Sequence, residues 1–317
     1  MAEQDQSFSA QVKEELAHLM PSLQCCQRME LAALLRAGGR IAMLGGGKLA
    51  LTFATDHSPV ARKMIKLLKS NYSLDTEVMV GRRPTLRKNR TYLVRVPFQP
   101  GLTDLLKGAG IIDPEGNLTD WGNLSDLQQD HCKRAYLRGT FLGTGWVSSP
   151  ERQHHLEFTT TETEAADALG QMLFSYGIPV RMSYRKDTMV LYIKDADHVV
   201  RFLTVVGAHD SVLEYEGVRT IKEMRNLVNR QVNAETANLT KTAEAAARQV
   251  EALERLQAAG GLAGLPAPLR ELAGLRMNHP DVSLKELGEM CHPPVGKSGV
   301  AHRMRQLMSL AEADGIV

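Results

Sequence analysis

Four side chains with soft metal-binding atoms fall in matched pairs along this sequence: Cys25 and Cys26 in one place, His131 and Cys132 in another. Cys26 and Cys132 each precede, by thirteen residues, the last glycine of a short helical segment. Thiolates and imidazoles in symmetric positions suit tetrahedral zinc, but adjacent residues chelate one ion poorly compared with a Cys-x-x-Cys spacing. The expectation is therefore buried thiols at helix starts and no bound metal or other cofactor. Cys291 and His292, which precede two prolines, carry the same expectation. A second chemistry is neutralisation of anions. Arg82-Arg83-Pro84-Thr85-Leu86-Arg87-Lys88-Asn89-Arg90 holds five cations and no acid, and Lys297 to Leu307 is free of acids as well. Most charge runs are solvated faces, yet segments this one-signed suit phosphate contact.

The elements that must position these residues are bounded by composition. At 317 residues the chain suits two domains, or one duplicated domain and a small module. Its 43% hydrophobic and 23% charged content is globular. A net charge of +2 means that any nucleic-acid surface must come from local clustering. Aromatics at 5% argue against a binder that stacks single-stranded bases. The start of the chain lacks a basic flank followed by an apolar core, no segment approaches a membrane span, and four cysteines make no disulfide scaffold. A cytoplasmic, nucleoid-associated location is expected.

The chain repeats itself. Arg28 to Gly39 resembles Lys133 to Gly145, each a short helix ending in glycine. Downstream, the strand Leu49–Thr55 matches His155–Thr161, the helix Pro59–Ser70 matches Thr163–Phe174, each with a tyrosine just beyond, and the strand Tyr92–Val96 matches Met189–Ile193. Ala32, Ala33, Ala37 and Gly38 in one helix, and Gly139 and Gly143 in the other, would let two backbones approach closely across a pseudo-twofold seam. The terminal glycines are expected to take the left-handed conformation that ends a helix.

After Gly217, Val218 to Gln257 has neither proline nor glycine and reads as one long helix or two short ones, with Asn226, Asn229, Arg230 and Asn233 on a polar face. Beyond a break at 258–264, Pro266 to Met277 is helical with Leu269, Leu272 and Leu275 apolar. Ser283 and Glu286 form a capping box for the next helix. A turn at 291–296 leads to a helix with Val300, Met304 and Leu307 inside, and Ser298, Gly299, Ala301, His302 and Arg305 outside. That is helix-turn-helix spacing, in which the second helix enters the major groove.

The repeated helices, Leu31 to Gly39 and Leu137 to Gly145, resemble the signature of LAGLIDADG homing endonucleases. The resemblance implies two sheets saddling DNA, with one carboxylate before the last glycine of each signature helix holding metal ions at the scissile phosphate. Here those positions are Gly38 and Thr144, and neither offers a carboxylate. Glu30 lies eight residues earlier, about 12 Å along a helix. No catalytic residues, and no enzyme, are expected.

The segment at 283–307 is similar to the sigma-factor region that reads a promoter's upstream element. Together with Ser9–Leu16, Tyr136–Gly139, Asn229–Asn233, Glu235–Asn238 and Leu284–Gly288, the chain resembles the WhiA family, although Ala234 stands where that resemblance suggests a cysteine. The fold class expected is α+β: a duplicated LAGLIDADG homing-endonuclease-like N-terminal domain and an all-α helix-turn-helix C-terminal domain. The divisions are 1–212 (repeats at about 25–100 and 130–207), a helical linker at 213–260, and the helix-turn-helix domain at 261–317. The resemblance implies a sequence-specific transcriptional regulator of cell division, chromosome segregation or sporulation, binding double-stranded DNA without cutting it. The DNA-binding candidates are Ser283, Lys297, Ser298, Gly299, His302, Arg303 and Arg305, with Arg82, Arg83, Arg87, Lys88 and Arg90 as a second patch. The alternatives are a LAGLIDADG-type endonuclease and a protein-interaction module whose partner is an RNA polymerase sigma factor.

Overall fold

Small residues decide how closely two helices can approach, and the first unit of this chain is built on such an approach. In a computed structural model that describes residues 7–82, 90–117, 119 and 125–313, the chain divides into two compact units, Met1–Lys222 and Glu223–Val317. The first unit opens with α1 (Phe8–His18), where the Ser7 hydroxyl accepts from the Ala10 amide. Then come α2 (Gln24–Gly38), β1 (Gly39–Met43), β2 (Leu49–Thr55), α3 (Ser58–Tyr72), β3 (Glu77–Arg82), β4 (Arg90–Val96) and α4 (Leu102–Gly108). The same order runs again as α5 (Asp130–Thr144), β5 (Trp146–Val147), β6 (Leu156–Thr160), α6 (Thr163–Ser175), β7 (Arg181–Arg185), β8 (Thr188–Ile193) and α7 (Ala196–Val206). Both sheets are antiparallel with equivalent strand orders, β1-β2-β4-β3 and β5-β6-β8-β7.

The repeat is registered residue by residue. Cys25 and His131 are 106 positions apart, and the same offset relates Ala33 to Gly139, Ala37 to Gly143 and Gly38 to Thr144. Helices α2 and α5 pack along a seam where these small residues meet. A methyl on Gly139 would lie 2.5 Å from the Glu30 carbonyl oxygen and 2.8 Å from the Ala33 Cβ, and one on Gly143 would collide with Ala37. Gly38 instead faces the Phe53 ring, 3.0 Å from where a Cβ would stand. The terminal glycines correct the expectation of left-handed caps: Gly39 and Gly145 have φ of −78° and −72°, in extended backbone. The chain passes directly from helix into strand there, and a side chain at Gly39 would strike the Leu35 carbonyl.

Around the seam, leucines, phenylalanines and valines from both sheets and from α1, α3, α4 and α7 form one core. Glu30, Lys63 and Arg138 are buried in it. Glu30 pairs with Lys63 and, at 3.1 Å, with Arg138. Lys63 also donates to the Leu16 and Leu19 carbonyls at 2.7 and 2.6 Å, and Arg138 donates to Val206 at 3.0 Å. Burial pushes the Glu30 carboxyl up while its two cations pull it back, and burial lowers Lys63 to about 8.

Lys13 has a weaker counter-charge. Its ammonium lies 5.9 Å from the Phe141 ring centroid, and burial lowers it to about 8, with Asp56 opposing the shift. A lysine whose folded value falls below its ordinary 10.5 costs stability while charged. That cost is full below about pH 8 and fades as pH climbs toward 10.5. Lys13→Met should accordingly raise the unfolding free energy by about 1–3 kcal/mol at pH 7. Paired urea titrations at pH 7 and pH 10 check this, since the gain must shrink at the higher pH.

Helix α8 (His209–Ala258) runs through the boundary between the units. At its start the Glu15 carboxylate accepts from the Asp210 and Ser211 amides at 2.9 and 3.0 Å, which satisfies two of the donors a helix start leaves unpaired. The second unit adds α9 (Ala267–Asn278), α10 (Leu284–Met290) and α11 (Lys297–Ala313) around a separate core of Leu253, Leu272, Leu287, Val300, Met304 and Leu307. The capping box at Ser283 and Glu286 is complete. Arg276 is buried and donates to the Pro280 and Val282 carbonyls at 3.2 and 2.7 Å, holding the chain between α9 and α10. The Val295 amide donates to Gly288 at 2.8 Å, closing the turn before α11 onto α10.

Candidate nucleic-acid interface

Val300, Met304 and Leu307 are buried, and their spacing turns one stripe of α11 into the core. What remains outside is determined by the same period: Lys297, Ser298, His302 and Arg305 are exposed, while Gly299 and Arg303 are half-buried. No carboxylate occurs on α11 before Glu312. Arg305 also donates to the Ala301 carbonyl at 3.4 Å. Ser283 lies apart from this face, at the start of α10, and its hydroxyl accepts from the Glu286 amide at 3.3 Å. Asn226, Asn229, Arg230 and Asn233 are exposed on α8, but so are Leu227, Val228 and Val232, so this stretch is not purely polar.

In the first unit, the ladder of β3 and β4 ends with Arg82 opposite Arg90. Arg90 is exposed. Arg83, Arg87 and Lys88, and the side chain of Arg82, lie outside the described residues. Alternation along the paired strands puts Arg40, Thr52, Ala54, Thr91, Leu93 and Arg95 on the face turned away from the core. A shallow hollow of about 370 Å³ is lined by Gly38, Arg40, Thr52, Ala54 and Thr91 among others. Arg95 is paired with Glu77 at 3.2 Å. The corresponding face of the second sheet differs in kind. Glu157 accepts from His155 at 2.9 Å and pairs with Arg185 at 3.5 Å, and Trp146 and Tyr192 flank the His155 ring. Sequence reading passed over Arg40, Trp146, His155, Glu157 and Tyr192, although period-two alternation with the correct register would have grouped them.

At the C-terminal tips of the seam helices, Gly38 has no side chain and the Thr144 hydroxyl donates to the Thr140 carbonyl at 3.3 Å. A groove of about 310 Å³ beside them is lined by Arg36, Tyr136, Thr140, Thr144 and Glu162 among others. Among the described residues Glu162 is the sole carboxylate in that lining. Glu30 cannot help, being buried in its ion pairs.

The N-terminal ends of the same helices hold the other candidate chemistry. Cys25, Cys26, His131 and Cys132 bring their ligand atoms within 4.8 Å of one another. His131 Nδ1 stands 3.2 Å from the Cys26 Sγ, 3.3 Å from the Cys132 Sγ and 4.0 Å from the Cys25 Sγ. Burial raises the thiols of Cys26 and Cys132, the latter to about 12. Cys291 is buried elsewhere and donates to the Leu287 carbonyl.

Comparison with known proteins matches this architecture along its length. Three family models match in sequence: the WhiA N-terminal LAGLIDADG-like domain over residues 24–112, the WhiA LAGLIDADG-like domain over 133–225, and the WhiA C-terminal HTH domain over 228–311. A relative from Symbiobacterium thermophilum, named "Probable cell division protein WhiA", is 64% identical over 97% of this chain and 98% of its own. The chain belongs to the WhiA family. A second WhiA, from Heliobacterium modesticaldum and carrying the same name, is 45% identical over 97% of this chain and 96% of its own. The crystal structure of full-length WhiA from Thermatoga maritima shares the fold, with a TM-score of 0.60 at 24% identity, covering 97% of this chain and 98% of that one. The expected fold class, a duplicated LAGLIDADG-like domain with a helix-turn-helix domain, is thus the WhiA architecture. Among the described residues no helix is long and apolar enough to cross a membrane.

Proposed function

We propose that this chain is a sequence-specific regulator that binds double-stranded DNA and does not cut it. The observation that carries this reading is the outer face of α11, where Lys297, Ser298, His302 and Arg305 are exposed on a helix free of acids until Glu312. A helix start with a lysine beside it favours a phosphate, and arginines one or two turns on can reach guanine edges in the major groove. The proposed reading set is Lys297, Ser298, Gly299, His302, Arg303 and Arg305, with Ser283 at the preceding cap. Arg82, Arg83, Arg87, Lys88 and Arg90 would form a second, phosphate-binding patch. The functional division we propose is a LAGLIDADG-like domain at 1–212, a helical linker at 213–260 and a DNA reader at 261–317.

The absence of cutting rests on Gly38 and Thr144, which supply no paired carboxylates where hydrolysis would need them. The relatives' name points to cell division, and we infer that this chain acts there through transcription. Gel retardation of duplex fragments from the source genome at physiological salt tests the reading, comparing the full chain with a truncation after Gly260. Retardation should disappear on truncation; unchanged retardation would move the main contact to the first domain and overturn the assignment. Arg305→Ala should weaken binding by about 1–3 kcal/mol if that side chain reads a base, and equally on all sequences if it touches only phosphate. Magnesium or manganese should produce no nicks, and nicking would sink the non-nuclease half of the proposal.

A further inference from the structure

We infer that Cys25, Cys26, His131 and Cys132 form a Cys3His site for a thiolate-binding divalent ion of the zinc class, clamping the N-terminal ends of α2 and α5. A single adjacent pair chelates poorly, but here each helix contributes two ligands, and the pseudo-twofold brings the pairs face to face. Cys25 and His131 are the second residues of their helices and Cys26 and Cys132 the third. The site is therefore a direct product of the repeat.

The distances fit. Tetrahedral bonds of about 2.3 Å to sulfur and 2.1 Å to nitrogen put ligand atoms roughly 3.6–3.8 Å apart. The sulfur-to-nitrogen separations here, 3.2, 3.3 and 4.0 Å, bracket that value. The sulfur-to-nitrogen pairs would need adjustments of only a few tenths of an ångström, and the sulfurs, all within 4.8 Å of one another, would draw in around the ion. Three thiolates around a divalent cation carry one net negative charge, and two helix starts with positive dipole ends converge on it. Burial has the same sense: Cys26 and Cys132 are shielded from water, while His131 and part of Cys25 reach it and leave a path for entry. Loading releases up to three thiol protons, so affinity must fall as the solution is acidified. Such a site lies at the opposite end of the seam from Gly38 and Thr144, so the ion would have a structural role, remote from the place where nuclease metals would sit.

The full chain, purified under reducing conditions and incubated with zinc, should retain one zinc per chain after dialysis. With cobalt(II) in place of zinc, the intense visible bands of tetrahedral thiolate coordination should appear. Zinc at about a hundredfold above its Kd should raise the thermal midpoint of the first unit by roughly 5–10 °C. His131→Ala, at an exposed position that the fold tolerates, should abolish retention of zinc and the midpoint shift, as should Cys26→Ser if that variant folds. Absence of zinc retention and of cobalt bands in the wild-type chain overturns the site. So does undiminished loading of His131→Ala, or a disulfide linking Cys26 and Cys132 in protein prepared without oxygen.

Discussion

Replacing Glu30 with alanine should destabilise the first unit by about 3–5 kcal/mol, the cost of breaking a buried ion pair by removing one partner. The carboxylate is fully buried and pairs with two cations, Lys63 from α3 and Arg138 from α5. Those cations in turn hold carbonyls at the end of α1 and of α7. Without the carboxylate, two desolvated positive charges face each other across the seam with only neutral carbonyls for company. Lys63, already lowered by burial, would lose the neighbour that supports its charge. Glu30→Gln should fall between wild type and Glu30→Ala, because it keeps the volume and an acceptor. Replacing all three by apolar residues of matching volume should recover much of the loss. Urea unfolding of the four proteins checks the series, and a Glu30→Ala loss below 1 kcal/mol would remove this cluster from any account of the fold's stability.

Gly288→Val should dismantle the helix-turn-helix, at a cost of about 3 kcal/mol or more, which lies at the severe end for overpacking. A Cβ at Gly288 would overlap the Val295 carbonyl oxygen and stand 2.9 Å from Val300 Cγ2. The obstructing atom is backbone in a turn whose amide already donates to Gly288, so it cannot swing aside. The turn sets the position of α11 against α10, and with it the exposed basic face. Retardation of DNA should drop to that of the chain truncated after Gly260, while the thermal transition of the first unit stays in place. Wild-type retardation by Gly288→Val would mean that α11 is not the reading helix.

The parts of this fold legible in the sequence are those written in local periods. The apolar stripe of Val300, Met304 and Leu307 and the cap at Ser283 announce the second unit, and the repeated alanine and glycine positions announce the seam. Pairings made across long separations are not written that way. Glu30, Lys63 and Arg138 lie on three elements, and no local pattern says that one acid will meet two bases in a dry core. The thiol and imidazole cluster falls between these cases. Its two pairs look unpromising one at a time, because chelation was judged by spacing within a pair. The repeat sets Cys25 against His131 and Cys26 against Cys132 already in the sequence, but that symmetry does not say that the two pairs meet, which takes the convergence of the two helix starts across the seam. The terminal glycines mislead for a related reason: glycine at a helix end suggests a left-handed cap, but Gly39 and Gly145 are small because the preceding helical turn crowds them.

The seam is not symmetric in its details. Where small side chains meet, the seam sets an alanine of the first repeat against a glycine of the second, Ala33 on Gly139 and Ala37 on Gly143. Two copies of the first repeat would oppose alanine to alanine and be held apart by the extra methyls; two copies of the second would oppose glycine to glycine and leave a gap. The two halves are thus complementary to each other in a way that neither is to a copy of itself, and the close spacing of the seam is a property of the unlike pair.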